Sequence, residues 1–186
     1  RATGDRAPLR ERSPLAVVEA RDIASRGGDT RGAFQRIGRA TWSQLPGSAE
    51  EARAIARITG GSAMTGSDVS ESEVRRLSES GQLRRYRVLH FATHGMVLPE
   101  APELSSLVLS HVADPAAGAE GIDGYLTMAE IANLDIAADF VNLSACDTGL
   151  GRIYGGEGVV GLTQAFLVAG ANSLSVSLWQ VADEAT

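Results

Sequence analysis

The chain predicts an α/β fold: a mainly parallel central sheet with helices on both faces. Three observations carry that expectation. Residues 86–93 and 139–145 are apolar, β-prone runs, and each halts on a reactive side chain, His94 and Cys146, before a glycine-bearing loop. Sequences with helix-capping spacing alternate with these runs, at Ser48-Ala49-Glu50-Glu51, Ser70-Glu71-Ser72-Glu73 and Thr127-Met128-Ala129-Glu130. Glycines stand where the Ser48 and Ser70 helices and the later helix at 157–169 should stop. Strands alternating with capped helices build parallel sheets covered on both sides.

Taken in order, residues 1–13 are Arg-rich and aperiodic and read as a linker or frayed terminus, leaving 14–186 as one domain. Residues 15–18 (LAVV) suggest a first strand, and 25–32 (SRGGDTRG) a charged loop. A helix follows from Ser48, with Ala52, Ile55, Ala56 and Ile58 on one face and Gly60-Gly61 as its stop. Residues 62–65 suggest a short strand. Ser70 opens a second helix with Val74 and Leu77 inward and Gly81 as the stop, leading into the strand at 86–93. Residues 104–110 read as another strand and 111–124, with Pro115 and three glycines, as an exposed loop. Thr127 starts a short helix through Asn133. After the Cys146 strand, residues 147–156 hold four glycines and read as a flexible loop. Residues 157–169 form a helix with Val160, Leu162, Ala165, Phe166 and Val168 inward and Gly170 as its stop. Residues 173–179 form the last strand.

The 186 residues suffice for one domain with a core, and 44% hydrophobic content excludes wholesale disorder. No apolar run approaches the ~20 residues that span a bilayer, so no membrane partner is expected. Cys146 is the only cysteine, which excludes an internal disulfide and suits a reducing, cytoplasmic setting. With three His and one Cys in all, neither a metal nor any other cofactor is expected. The net charge of −6 conceals an asymmetry: residues 1–93 hold 16 Arg and 11 acids, residues 94–186 one Arg and 12 acids. The acidic half would attract basic substrates and repel nucleic acid. Alternatively, the two halves pair with each other.

Ligands and catalytic groups of open α/β sheets gather beyond the carboxyl ends of strands. Neighbouring strands ending at His94 and Cys146 would place a base and a thiol at one rim. Cys146 stands where the apolar run turns polar, unlike a cysteine serving as a small core hydrophobe. His90 lies four residues before His94 but lacks the glutamate of a zinc-binding helix, and is expected to be buried and satisfied. Ser144 lacks the flanking glycines of a nucleophile elbow. Gly156, Gly158 and Gly161 fit a GxGxxG dinucleotide fingerprint. But about ten residues separate them from the preceding strand, and Glu157 would repel a pyrophosphate, so these glycines are expected to let the helix pack close to the sheet.

HFATHG ending at Gly95, LSACDTG around Cys146, GGEGVVGLTQAFLVAGA from Gly155 and SLWQVADEAT from Ser177 together resemble the CHAT domain, a caspase-like, separase-related group of cysteine peptidases. LPGSAEEARAI, from Leu45, adds to that resemblance. The resemblance implies a caspase-like three-layer sandwich with a Cys-His dyad: His94 as base, Cys146 as nucleophile, and backbone N–H groups of Gly95 and Cys146 for the oxyanion. A glycine after the histidine leaves room for the scissile carbonyl. It further implies that Asp183 lines the pocket for the residue before the cut, giving cleavage after Arg or, less well, Lys. Asp147 and Glu157 are reserve substrate contacts. Members commonly sit behind tetratricopeptide-type repeats, so such a module, in cis or trans, is an expected partner. The family continues past the segment matched by Asp183, so the domain is expected to be incomplete at its C-terminus. A non-catalytic interaction domain on the same fold is the alternative, and a dinucleotide-binding module a remote one.

Overall fold

The computed structural model describes residue 42 and residues 44–98, 102–110, 121–147 and 157–176; at 102, 145–147 and 157–159 it describes the backbone alone. The linker at 1–13, the strand expected at 15–18, the loop at 25–32 and Asp183 lie outside these residues.

Helix α1 (Pro46–Thr59) begins before the Ser48 spacing predicts. Pro46 takes a first-turn position, where its fixed φ and missing N–H cost nothing. The Ser48 hydroxyl instead donates to the Leu45 carbonyl at 2.7 Å. Gly60 ends the helix at φ 70°, as its position predicts. Ile58, expected inward, is 85% exposed, because the helix is at most half-buried along its middle turns and its last turn runs out into solvent. Residues 62–65 form no strand. Their Thr65 hydroxyl binds the Arg53 guanidinium at 3.1 Å, and among the described residues no strand offers them a ladder. Helix α2 (Glu71–Glu79) starts where expected: the Ser70 hydroxyl accepts the Glu73 N–H at 3.3 Å. Val74 is buried beneath it.

Strand β1 (Val88–Met96) continues past the expected stop and carries His94 and Gly95 within it. Strand β2 (Ser106–Val108) is the middle of the expected 104–110 run. Strand β3 (Tyr125–Thr127) was not anticipated. Helix α3 (Met128–Ala132) opens on the Thr127–Glu130 capping box, both halves of which form. Strand β4 (Phe140–Asp147), helix α4 (Glu157–Val168) and strand β5 (Leu174–Val176) follow. Gly170 stops α4 at φ 109°, where an added Cβ would collide with the Ile136 carbonyl. Leu162, Ala165 and Phe166 are buried as predicted, but Val160 and Val168 are 59% and 65% exposed. They lie on the side of α4 turned from the sheet.

The five strands run β3-β2-β1-β4-β5. β1, β4 and β5 are parallel; β2 and β3 are antiparallel additions at the other edge. The sheet is therefore mixed: β2 returns directly from β1, as antiparallel neighbours allow, whereas β1 reaches β4 through a long crossover.

Alternation along the strands divides the sheet into two unlike faces. On one, Leu89, Val141 and Leu174 form one row of register partners, and Phe91, Leu143 and Val176 the next. Leu107 and Leu126 extend this apolar surface. Val74, Ile131, Leu162, Ala165 and Phe166, from α2, α3 and α4, cover it, with the Phe91 and Phe166 rings 5.4 Å apart. The opposite face carries His90, Asn142, Ser144 and His94, and α1 lies against it through Glu51. Helices thus flank both faces, as the α/β sandwich requires.

A polar clasp fastens α2 to the turn before β3. Glu71 is fully buried and accepts the Asp123 and Gly124 N–H groups, each at 2.9 Å, and Arg75 at 2.7 Å. Arg75 also reaches the Gly121 carbonyl at 2.6 Å and Glu130 at 2.8 Å. Burial pushes the Glu71 carboxyl up to about 7; the Gly124 N–H opposes it, the nearby Glu130 reinforces it, and the Asp123 N–H and Arg75 oppose it. Arg84–Asp135 and Arg87–Asp139 ion pairs join Arg75–Glu130 in linking the basic half to the acidic half.

Candidate active site

The site is built on one row of backbone partners. Cys146 of β4 is the Cα partner of His94 in β1, His94 that of Val108 in β2, and Val108 that of Tyr125 in β3. Parallel neighbours lie about 4.8 Å apart, so residues 94 and 146 sit side by side at the carboxyl ends of their strands. The two residues singled out in the sequence are brought together. Gly95 pairs with Asp147 on the last rung of that ladder and with Leu107 on its other side. By alternation, Asp147 falls at a register position on the face opposite Cys146. Glu157 is the first residue of α4.

His94 is 6% exposed. The Trp42 ring packs against its imidazole, centroids 5.0 Å apart and planes tilted by 37°. The Trp42 indole N–H donates to the Tyr125 hydroxyl at 3.1 Å, and Tyr125 is buried in β3.

His90 lies on the same face and serves a different purpose. Its Nδ1 is 2.9 Å from the Asn142 amide nitrogen and accepts from it, which leaves the ring proton on Nε2, 3.0 Å from Glu51 Oε1. The histidine is thus satisfied at Nδ1 but not, as expected, throughout: its buried Nε2 lies near Glu51 of α1 without forming an aligned hydrogen bond. His90 and His94 lie four strand positions apart, about 13 Å, too far to share a metal ion. Among the described residues no group of three or more His, Cys, Asp or Glu could hold one.

Gly161 lies within α4, where an added Cβ would come within 2.6 Å of the Met128 side-chain end. Gly161 thus permits close packing of α4 on α3, not on the sheet as expected of these glycines; Gly156 lies outside the described residues.

The model of the CHAT domain matches residues 2–186. The chain belongs to the CHAT domain family. Tetratricopeptide repeat protein 28 of Mus musculus is 28% identical over 171 residues, and that of Homo sapiens 28% over 166 residues. Each match covers 75% of this chain and 6% of the relative, so this CHAT domain spans a small fraction of those proteins.

Sequence reasoning missed Trp42, Tyr125 and Glu51 in this CHAT domain. Trp42 carried a usable signal: it is one of two tryptophans, placed a few residues before a helix. Tyr125 carried little, since its strand is three residues long.

Proposed function

We propose that this CHAT domain is a cysteine endopeptidase in which His94 and Cys146 form the catalytic dyad. The observation that carries the proposal is the β1–β4 register: the two residues are Cα partners at the carboxyl ends of adjacent parallel strands. The imidazole takes the thiol proton, the thiolate attacks the scissile carbonyl, and a tetrahedral oxyanion forms. The Gly95 and Cys146 N–H groups, at the last rungs of the ladder, are the proposed oxyanion donors. His94 then protonates the leaving amine, and water hydrolyses the thioester.

Asp183 is the proposed receptor for Arg or Lys before the cut, since a carboxylate binds guanidinium through two parallel hydrogen bonds. Asp147 and Glu157 are further proposed substrate contacts. The similarity to proteins named for tetratricopeptide repeats supports a repeat module as partner in cis or trans. No described helix is long and apolar enough to cross a membrane.

A second reading, a non-catalytic interaction domain, is favoured by the burial of His94 beneath Trp42. Fluorogenic arginyl peptides and an irreversible thiol-directed peptide separate the two. The peptidase reading expects hydrolysis and labelling of Cys146, both lost in His94→Ala. A folded wild-type protein that neither cleaves nor labels would overturn it.

A further inference from the structure

We infer that Trp42 is a positioning residue for His94, locked in place by Tyr125; the inference rests on the dyad proposed above. Three parts of the chain converge here: the segment before α1, the carboxyl end of β1, and β3. An imidazole on a strand retains a broad, roughly two-fold χ2 well, so backbone register alone does not aim its nitrogens. The indole surface 5.0 Å from the imidazole centroid removes much of that freedom.

The indole is itself restrained. Its N–H donates to the Tyr125 hydroxyl, 83 residues away in sequence, which fixes the ring about both side-chain torsions. Tyr125 is held in turn. Its N–H donates to the Asp123 carboxylate at 3.0 Å, and the N–H groups of Asp123 and Gly124 are both held by buried Glu71. A continuous chain of contacts thus runs from α2 through the 121–124 turn to β3, Trp42 and the proposed base.

The test uses the full chain, in which Cys146 is the sole thiol, so iodoacetamide alkylation reports that sulfur alone. Alkylation rates at pH 7, and kcat and KM on an arginyl peptide, are compared for wild type, His94→Ala, Trp42→Ala, Trp42→Phe and Tyr125→Phe. Misaiming a reacting group by about 1 Å costs about a hundredfold, so Trp42→Ala should lose ten- to a hundredfold in kcat and alkylation, with KM within about twofold. Trp42→Phe keeps a ring against the imidazole and should recover to within about fivefold of wild type; Tyr125→Phe, losing the lock, should fall between. The ring-current shift of the His94 ring protons should vanish in Trp42→Ala and persist in Trp42→Phe. If His94→Ala slows alkylation but folded Trp42→Ala does not, Trp42 has no positioning role and the dyad stands. If His94→Ala matches wild type, the dyad itself fails and the role of Trp42 with it. Should Trp42→Ala not fold, the two Phe variants decide: kcat and ring shifts at wild-type values in Tyr125→Phe, or a folded Trp42→Phe with no recovered activity, overturn the inference.

Discussion

The two faces of the central sheet are made from the same strands, residue by residue in alternation, and they do different work. One is a continuous apolar surface, Leu89 to Leu174 and Phe91 to Val176, closed by α2, α3 and α4. The other bears His90, Asn142, Ser144 and His94, with α1 joined to it through a Glu51–His90 contact and Trp42 packed on His94. The first face holds strands in register by burial, at about 25 cal/mol per Å² of apolar area. The second shares that backbone register and carries the polar side chains. Stability and chemistry should therefore separate cleanly under mutation.

The largest expected effect lies on the polar face. Cys146→Ala should abolish peptide hydrolysis, and His94→Ala should reduce it by roughly 10²- to 10⁴-fold, far beyond any fall in the folded fraction read from urea denaturation. A matching loss of stability in His94→Ala would mean that the two faces are not separable. Next comes Phe166→Ala on the apolar face, expected to cost about 3–5 kcal/mol by urea denaturation because the ring is wholly buried against Phe91. Its activity should fall only in proportion to the folded fraction.

The Glu71 clasp bridges the comparison, since it braces the strand that carries Tyr125. Its carboxyl titrates near 7 in the folded protein against an ordinary 4.5. Below about pH 4.5 both folded and unfolded states hold the proton; between there and about 7 the folded state keeps it while the unfolded state releases it. Glu71 should therefore make stability decline as pH rises through that window, by about 3 kcal/mol at 1.36 kcal/mol per pKa unit. Glu71→Gln should flatten this slope in thermal melts recorded across the window; an unchanged slope would assign the pH dependence elsewhere. Smaller still, Glu51→Gln should weaken the attachment of α1 by about 0.5–1.5 kcal/mol, seen as faster amide exchange in α1 alone. The smallest effect belongs to Val160→Ser and Val168→Ser, within about 0.5 kcal/mol, because both residues face solvent.

Those two valines show where the sequence could be read and where it could not. Local chemistry was legible: the Ser70 and Thr127 caps, the glycine stops at 60, 81 and 170, and the long apolar runs of β1 and β4 are encoded within a few residues of where they act. So was the pairing of His94 with Cys146, because each terminates a strong β pattern. Other features depend on distant partners. Val160 and Val168 fit a helical apolar pattern, but the sheet covers only one side of α4 and their side lies off it. β3 is too short for period-two alternation to register, and it exists because β2 offers it a ladder. The Trp42–Tyr125 bond joins residues whose proximity only the folded topology creates.

The parallel pairing of β1 with β4 has one further consequence, for the timing of synthesis. Strand partners such as His90 and Asn142 are 52 positions apart, as are His94 and Cys146, and β2, β3 and α3 are made in between. A chain emerging from the ribosome holds the imidazole long before the sulfur, and the crossover must close before the two can meet. If the proposed dyad carries the activity, a nascent fragment that ends before Cys146 lacks its nucleophile.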